Sequence, residues 1–460
     1  MLQPMSLFLA LLFLLLQVNA AAQTITQKLA TAFALFENDP QLQNALASLY
    51  VIDANGNIIF QKDANTGLAP ASTQKIITSA TAYELLGKSF RYKTAFGFIK
   101  NKDATTQLYI KGSGDPTLGS FRWEQTREEA VLKRIVAAAP NVKISNTVVS
   151  EITGWDNETI SGGWMWDDIG NYYGAGAGVF NWLENQYDVF MRSGGSVGNP
   201  VVITGTQPRL ANYKLVSKVL SAAKGSGDNA YIYFPLAGDS GTVRGTIPVG
   251  ESRFVISGAL PNPVQQFATT VLQRLRPAEK DTVSATLVYA SAVQKNVQYF
   301  HTETSPPLDS IIYWFNKRSI NLYGEALLKT IAFQNKGNGS TETGVGLLKT
   351  FWKSKGIPET ALNLVDGSGL SPLNRVTTQA QVAVLQYAKK QDWFPGFYIA
   401  LPEYNGMKLK SGTIHGVKGF AGYHTSKDGT SYILSFLVNN YNGAASTLVK
   451  KMYAVLDVLK

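Results

Sequence analysis

Apolar residues recur along this chain with two different periods, and the places where the period changes divide it into stretches. Residues 47–62, ASLYVIDANGNIIFQK, form two β-rich runs around Asn55-Gly56, a pair that tolerates positive φ and predicts a tight hairpin. After Pro70 the spacing becomes helical. Ile76, Ile77, Ala80, Ala82, Leu85 and Leu86 are apolar or small and Gly87 is a stop, so a helix is expected to open at or beside Ser72. From about residue 95 to 298, short alternating runs broken by Gly, Pro, Asn and Ser predict mainly strands, with helices near 127–138 and 264–275. From about 308 the helical period returns in LDSIIYWFNK, NLYGEALLKTIAF and TTQAQVAVLQYAKK. The tail reverts to strands in GMKLKSGTIHGVKGFAGYHT and SYILSFLVNN, with Lys427-Asp428-Gly429 as the turn between them. A last helix places Leu448, Met452, Val455 and Leu459 on one face.

This order predicts an α+β fold in which both ends of the chain build one domain and about 200 residues are inserted into it. The 460 residues suit two to three units, since single cores stop growing beyond roughly 250–300 residues. Residues 23–96 and 299–460 are assigned to the two-ended domain and 97–298 to a mainly β insertion, expected to form two subdomains. Ahead of them, MSLFLALLFLLLQV at 5–18 is an apolar core followed by Ala20-Ala21-Ala22, which reads as a secretory signal over 1–22, although no Lys or Arg precedes it. The run is shorter than the ~20 residues that span a bilayer. Export without a single Cys suggests the periplasm or another part of a bacterial cell envelope.

Composition narrows the chemistry. With no Cys, thiolate nucleophiles, Cys-ligated zinc and iron–sulfur clusters are excluded, and three His make a histidine-rich metal site unexpected. No metal, organic cofactor or nucleic-acid partner is expected. A net charge of +10 favours anionic polymers or surfaces through long-range attraction, so peripheral contact with the envelope stays open.

Three short motifs carry the candidate chemistry. A serine hydroxyl needs a base within reach and donors for the oxyanion it creates. In Ser72-Thr73-Gln74-Lys75, positions i and i+3 share a helical face, so the Lys75 amine can lie beside the Ser72 hydroxyl, at a helix end whose free N–H groups favour negative charge. Ser319-Ile320-Asn321 falls between two helical runs and offers a second hydroxyl for proton relay and an amide to orient Lys75 or a substrate carbonyl. Lys410-Ser411-Gly412-Thr413 lies on a predicted strand, where Lys410 supplies positive potential, Ser411 and Thr413 can hold a carboxylate, and Gly412 lets a ligand approach the backbone. Alone, each is common as a helix cap or a bulged strand.

Taken in order, the three motifs resemble the active-site set of penicillin-binding proteins and serine β-lactamases. Ser72 and Ser319 stand 247 positions apart, and this long insertion resembles the class C low-molecular-mass penicillin-binding proteins, the D-alanyl-D-alanine carboxypeptidase/endopeptidase family. So do PASTQKIITSATAYELLG, GSGDPTL, GWMWDDIGNYYGA, SPPLDSIIYWFNKRSINLYGEALL, DGSGLS and KSGTIHGVKGFAGY, which span most of the chain beyond residue 22. The resemblance implies a transpeptidase-like domain with an antiparallel sheet flanked by helices, acting on peptidoglycan stem peptides and acylated by β-lactam antibiotics. It implies Ser72 as nucleophile, Lys75 as its base, Ser319 passing a proton to the leaving amine, and Asn321 bonding the substrate amide. Lys410 would stabilise charge, Ser411 and Thr413 would bind the terminal carboxylate, and the N–H groups of Ser72 and Thr413 would form the oxyanion hole. Ile320 stands where the family often has Asn, and Ser411 where it commonly has Thr. In the Trp-rich stretch, Trp164, Asp167 and Tyr172 are expected to line a pocket for the substrate side chain, with a carboxylate meeting the ammonium of a diamino acid, or else to pack at a domain junction. Asp115-Pro116 and Asp366-Gly367 are read as turns. The rival readings are a β-lactamase or esterase on the same fold, and a non-catalytic envelope-binding protein.

Overall fold

The computed structural model describes residues 23–102, 105–235, 238–279 and 282–460. The signal expected over 1–22 lies outside them. No helix among the described residues is long and apolar enough to cross a membrane.

The chain opens with helix α1 (Ile25–Glu37), then the hairpin β1 (Leu46–Asp53) and β2 (Ile58–Lys62), and reaches helix α2 (Lys75–Leu86) through a 3-10 turn, Ala71–Gln74. Strands β3 (Lys93–Lys100), β4 (Thr106–Lys111) and β5 (Ile144–Glu151) follow, with α3 (Glu128–Ala138) between the last two. Next come β6 (Gln186–Arg192), β7 (Val202–Gln207), β8 (Lys214–Ala222), β9 (Asn229–Tyr233), β10 (Ser240–Pro248) and β11 (Phe254–Ala259). Helix α4 (Pro263–Leu275) leads to β12 (Thr286–Ala290) and β13 (Gln298–Thr304). Helices α5 (Leu308–Arg318), α6 (Asn321–Lys336) and α7 (Thr341–Ser354) precede the two-residue strands β14 (Leu362–Asn363) and β15 (Arg375–Val376) and helix α8 (Thr378–Ala388). The chain ends through β16 (Glu403–Tyr404), β17 (Met407–Ile414), β18 (Val417–Thr425), β19 (Ser431–Asn439) and α9 (Ala445–Leu456).

Both ends of the chain meet in one antiparallel sheet, ordered β16-β17-β18-β19-β1-β2. The register Leu46↔Asn439 to Asp53↔Tyr432 joins the first strand to the last, and seven consecutive residues of β19 are buried, as a central strand covered on both faces requires. One face packs on α1 and α9 through Phe33, Phe36, Leu434, Phe436 and Met452. The other packs on α2, α5, α6 and α8 through Ile77, Phe315, Leu327, Leu385 and Leu437. In the β1–β2 hairpin only Gly56 of the expected pair has positive φ, because Asp53 accepts the N–H groups of Asn55 and Asn57 and shapes the turn itself.

Between α2 and α5 lie two further modules. A five-stranded sheet, β12-β5-β4-β3-β13, covers α3 and α4 with a core around Phe96, Phe180, Trp182 and Phe267. Two three-stranded sheets, β8-β10-β9 and β11-β6-β7, close on Val189, Val219, Ile232 and Val243. The chain leaves and re-enters the six-stranded module at the pair Lys93↔Thr304, and the texture-based limits 97 and 298 fall within this β3–β13 ladder. The inserted strands are not all antiparallel, since β4–β5, β5–β12 and β8–β10 run parallel.

Candidate active site

Ser72 sits in the 3-10 turn one step ahead of α2, not on the α-helix proper. The turn is entered through Ala71 at φ 45° and is pressed from one side by Gly369, where a Cβ would lie 2.0 Å from the Ala71 carbonyl oxygen. On the other side it beds on two glycines paired across the sheet, Gly412 and Gly419. A Cβ on Gly412 would stand 2.5 Å from the Pro70 carbonyl oxygen and 3.0 Å from the Ser72 nitrogen, and one on Gly419 would stand 3.2 Å from Thr73 Cγ2. Only glycine therefore lets the strand face lie this close to the serine backbone.

Lys75 is fully buried and its Nζ reaches three oxygens: Ser72 Oγ at 2.8 Å, Asn321 Oδ1 at 2.6 Å and the Ser368 carbonyl at 2.7 Å. The last two can only accept. A neutral amine would spend its two N–H bonds on them and leave its lone pair toward the Ser72 hydroxyl. Burial lowers Lys75 to about 7, against the opposing pull of the Asp366 and Glu325 carboxylates. Both acids are fully buried. Glu325 accepts from the N–H groups of Gly367 and Ser368 and from Ser161 Oγ, and its own burial beside Asp366 pushes it upward. Asp366 accepts from Gln74 Nε2, the N–H groups of Gly369 and Ser371, Asn374 Nδ2 and Trp164 Nε1.

Ser319 ends α5 in the left-handed conformation at φ 57°, and Asn321 begins α6, so the second motif is a helix-to-helix corner. Lys410 Nζ donates to Ser319 Oγ at 3.0 Å and to the Ser411 carbonyl at 2.8 Å. Burial, then the nearby Lys75 and Lys418 amines, hold Lys410 well below the usual lysine range. Asn321 is held at both ends, because its Nδ2 donates to the Tyr173 carbonyl at 2.7 Å. Along β17, Leu409 N–H donates to the Pro402 carbonyl on the side away from β18. N–H directions alternate along a strand, so the Thr413 N–H is also left outside the β17–β18 ladder.

A cleft of about 1010 Å³ opens over this cluster. Ser72, Ser319, Asn321 and Thr413 line it from the six-stranded module, and Met165, Asp167, Asp168, Tyr172, Tyr173 and Tyr231 line it from the insertion. Asp167 and Tyr172 line the wall of this cleft. Trp164 does not: its indole is buried and donates to Asp366, which makes it the junction residue of the alternative reading. Ser411 also departs from expectation. Its hydroxyl donates to Tyr404 OH at 3.1 Å, because residues 410 and 412 take the helix-facing side of the strand and leave 411 on the other. Asp115 is an Asx turn, its carboxylate accepting the Thr117 N–H, but Asp366 is far more than a turn. Glu325, Asp366, Ser161 and Asp168 carry polar roles here that the sequence reading missed. Glu325 lies inside an apolar helical run, and no local spacing marks it. Burial, then the neighbouring Asp167, pushes Asp168 up to about 6. No cluster of potential metal ligands occurs among the described residues.

A family model described as D-Ala-D-Ala carboxypeptidase 3 (S13) matches residues 26–458. The chain is 25% identical over 470 residues to a D-alanyl-D-alanine carboxypeptidase of Actinomadura sp. (strain R39), covering 95% of this chain and 85% of that one. It is 24% identical over 410 residues to the D-alanyl-D-alanine carboxypeptidase DacB of Haemophilus influenzae, covering 84% and 83%. The fold is similar to that of penicillin binding protein 4 (dacB) from Haemophilus influenzae, at TM-score 0.77 and 20% identity over 93% of this chain and 99% of that one. A structure of the same Haemophilus influenzae protein complexed with a β-lactam gives TM-score 0.70 at 19% identity over 95% and 100%.

Proposed function

The chain belongs to the D-Ala-D-Ala carboxypeptidase 3 (S13) family, and we propose that it is an exported serine hydrolase that cleaves D-alanyl-D-alanine bonds of peptidoglycan stem peptides through an acyl-enzyme at Ser72. One observation carries this reading: Lys75 Nζ lies 2.8 Å from Ser72 Oγ, and acceptors take its other contacts. Lys75 takes the Ser72 proton as Oγ attacks the carbonyl before the terminal D-alanine. The oxyanion is received by the N–H groups of Ser72 and Thr413, which the close seating of Gly412 holds near one another. Ser319, bonded to Lys410, passes the proton taken up by Lys75 on to the departing amine, so Lys75 is neutral again when water hydrolyses the ester. Each step conserves charge without a metal.

Penicillins would acylate Ser72 by the same route and leave slowly. The β-lactam complex of the Haemophilus influenzae protein supports β-lactam binding as one part of the reading. On the cleft wall, Asp167 and Asp168 offer carboxylates to the ammonium of a diamino-acid side chain. An open cleft also admits a cross-linked stem peptide as leaving group, so endopeptidase activity uses the same residues. The test is mass spectrometry of purified muropeptides before and after digestion, with fluorescent penicillin as a covalent label. Loss of D-alanine or of cross-links, together with labelling that Ser72→Ala abolishes, is expected. Persistent labelling of Ser72→Ala refutes the assignment. Rapid turnover of benzylpenicillin without action on the peptides would favour a β-lactamase, and peptidoglycan binding with no product would favour a non-catalytic binder.

A further inference from the structure

The three supports of Lys75 share an unexpected origin, because a short stretch of the insertion touches each of them. Ser161 Oγ donates to Glu325 at 2.9 Å, Trp164 Nε1 donates to Asp366 at 3.0 Å, and the Tyr173 carbonyl accepts from Asn321 Nδ2 at 2.7 Å. Asn321 in turn accepts directly from Lys75. The two acids act through the loop 366–369. Glu325 takes the N–H groups of Gly367 and Ser368, Asp366 takes that of Gly369, and the carbonyl of Ser368 is, with Asn321 Oδ1, one of the two obligate acceptors on Lys75.

The loop has little freedom to compensate for a lost bond. A Cβ on Gly367 would stand 2.3 Å from the Gly324 carbonyl oxygen in α6, and Thr78 of α2 donates to the Gly367 carbonyl at 2.7 Å. The Ser371 hydroxyl reaches back to the Gly163 carbonyl at 3.1 Å. The same stretch continues into Met165, Asp167, Asp168 and Tyr172 on the cleft wall.

Resting on the proposed function above, we infer that residues 161–173 form a positioning element for Lys75, in which Ser161 and Trp164 act through the buried Glu325 and Asp366 to hold the base at Ser72. The wall that meets the substrate side chain is then hydrogen-bonded to the groups that orient the base. The insertion contributes to the rate of acylation and not only to substrate affinity. A mere domain tie makes a different prediction, since it affects stability alone.

The test uses the full chain and two conservative variants, Ser161→Ala and Trp164→Phe, each of which removes one donor and keeps most of the packing. Acylation by a fluorescent penicillin is followed by stopped flow at varied concentration and pH, with the melting temperature measured in parallel. The acylation rate at saturating label is expected to fall about tenfold in each variant, the effect of one misplaced hydrogen-bonded support, with the label's dissociation constant within about twofold of wild type. The charged groups facing Lys75 are Glu325 on α6, Asp366 on the loop and Lys410 on β17. Removing the Ser161 donor makes the Glu325 charge less favourable, which weakens its hold on the Lys75 proton. The acid limb of the Ser161→Ala profile is therefore expected at lower pH, and Ser161→Thr, which keeps a hydroxyl, should restore it. A lowered melting temperature with unchanged rate and pH limb overturns the inference, as does a loss confined to the dissociation constant. A wild type that is never labelled overturns the reading of the site itself, whereas a labelled wild type with variants of equal rate overturns only this inference.

Discussion

Replacing Gly412 by Ala tests how closely β17 must approach the Ser72 turn. Gly412 does not have positive φ, so alanine meets no backbone strain there and the whole effect is steric. Its Cβ would stand 2.5 Å from the Pro70 carbonyl oxygen, 2.9 Å from the Thr73 nitrogen and 3.0 Å from the Ser72 nitrogen. All three are backbone atoms, so no side chain can swing away. Restoring ordinary contact near 3.5 Å requires the strand and the turn to part by about 1 Å, which moves the Thr413 N–H away from the Ser72 N–H. A displacement of that size in an oxyanion site lowers the acylation rate about 100-fold, and the overpacking costs about 1–3 kcal/mol of stability. Stopped-flow labelling with fluorescent penicillin gives the rate, and denaturant unfolding gives the stability. Gly419→Ala is the control. Its Cβ would meet the Leu437 and Thr73 side chains at 2.5 and 3.2 Å, which can shift, so it should lose stability with a much smaller loss of rate. If folded Gly412→Ala acylates within about threefold of wild type, the argument that this glycine sets the oxyanion geometry is wrong.

Three further outcomes are expected. Acylation requires the neutral Lys75 amine, and burial holds that group near 7, so the rate should climb as pH rises through about 7; a climb centred near the ordinary lysine range would remove Lys75 as the base. Treatment with EDTA should leave D-alanine release unchanged in a direct amino-acid assay, since serine, lysine and backbone donors suffice for each step; loss restored by added metal would contradict this. Phe267→Ala, at the centre of the Phe96, Phe180 and Trp182 cluster, should cost about 3–5 kcal/mol in denaturant unfolding, and a cost below about 1 kcal/mol would mean this core does not stabilise the insertion.

The sequence was most legible where one residue type does one local job. The helical period after Pro70, the stop at Gly87 and the C-terminal hairpin all appear as read, because periodicity and turn chemistry act over a few residues. The order of elements pointed to one domain built from both ends of the chain, but which strands join them, β1 and β19, is seen only in the sheet itself. The limits 97 and 298 show what texture cannot resolve. Strand β3 leaves the first module as an alternating run, KTAFGFIK, and nothing in it marks which sheet it joins; that is decided by β13 pairing with it 200 residues later. For Trp164 the Trp-rich stretch left two readings open, a cleft wall or a domain junction. An indole near a cleft and an indole tied to a buried carboxylate have the same letters, and only the position of Asp366 separates them.

The acids behind Lys75 mark the deeper limit. Burying an amine without compensation drives it far below neutrality, and burying a carboxylate without compensation drives it far above, so neither side of this cluster would hold a useful charge alone. Placed together, Glu325 and Asp366 raise Lys75 back to about 7, while Gly367, Ser368, Ser161 and Trp164 supply donors to the carboxylates. In the proposed mechanism this leaves Lys75 deprotonated often enough to accept the Ser72 proton, yet still a strong enough base to do so. Ser72 and Lys75 could be read from a three-residue spacing. The groups behind Lys75 come from Ser161, Trp164, Glu325 and Asp366, far apart in the chain, and they meet only where the insertion packs on the helices.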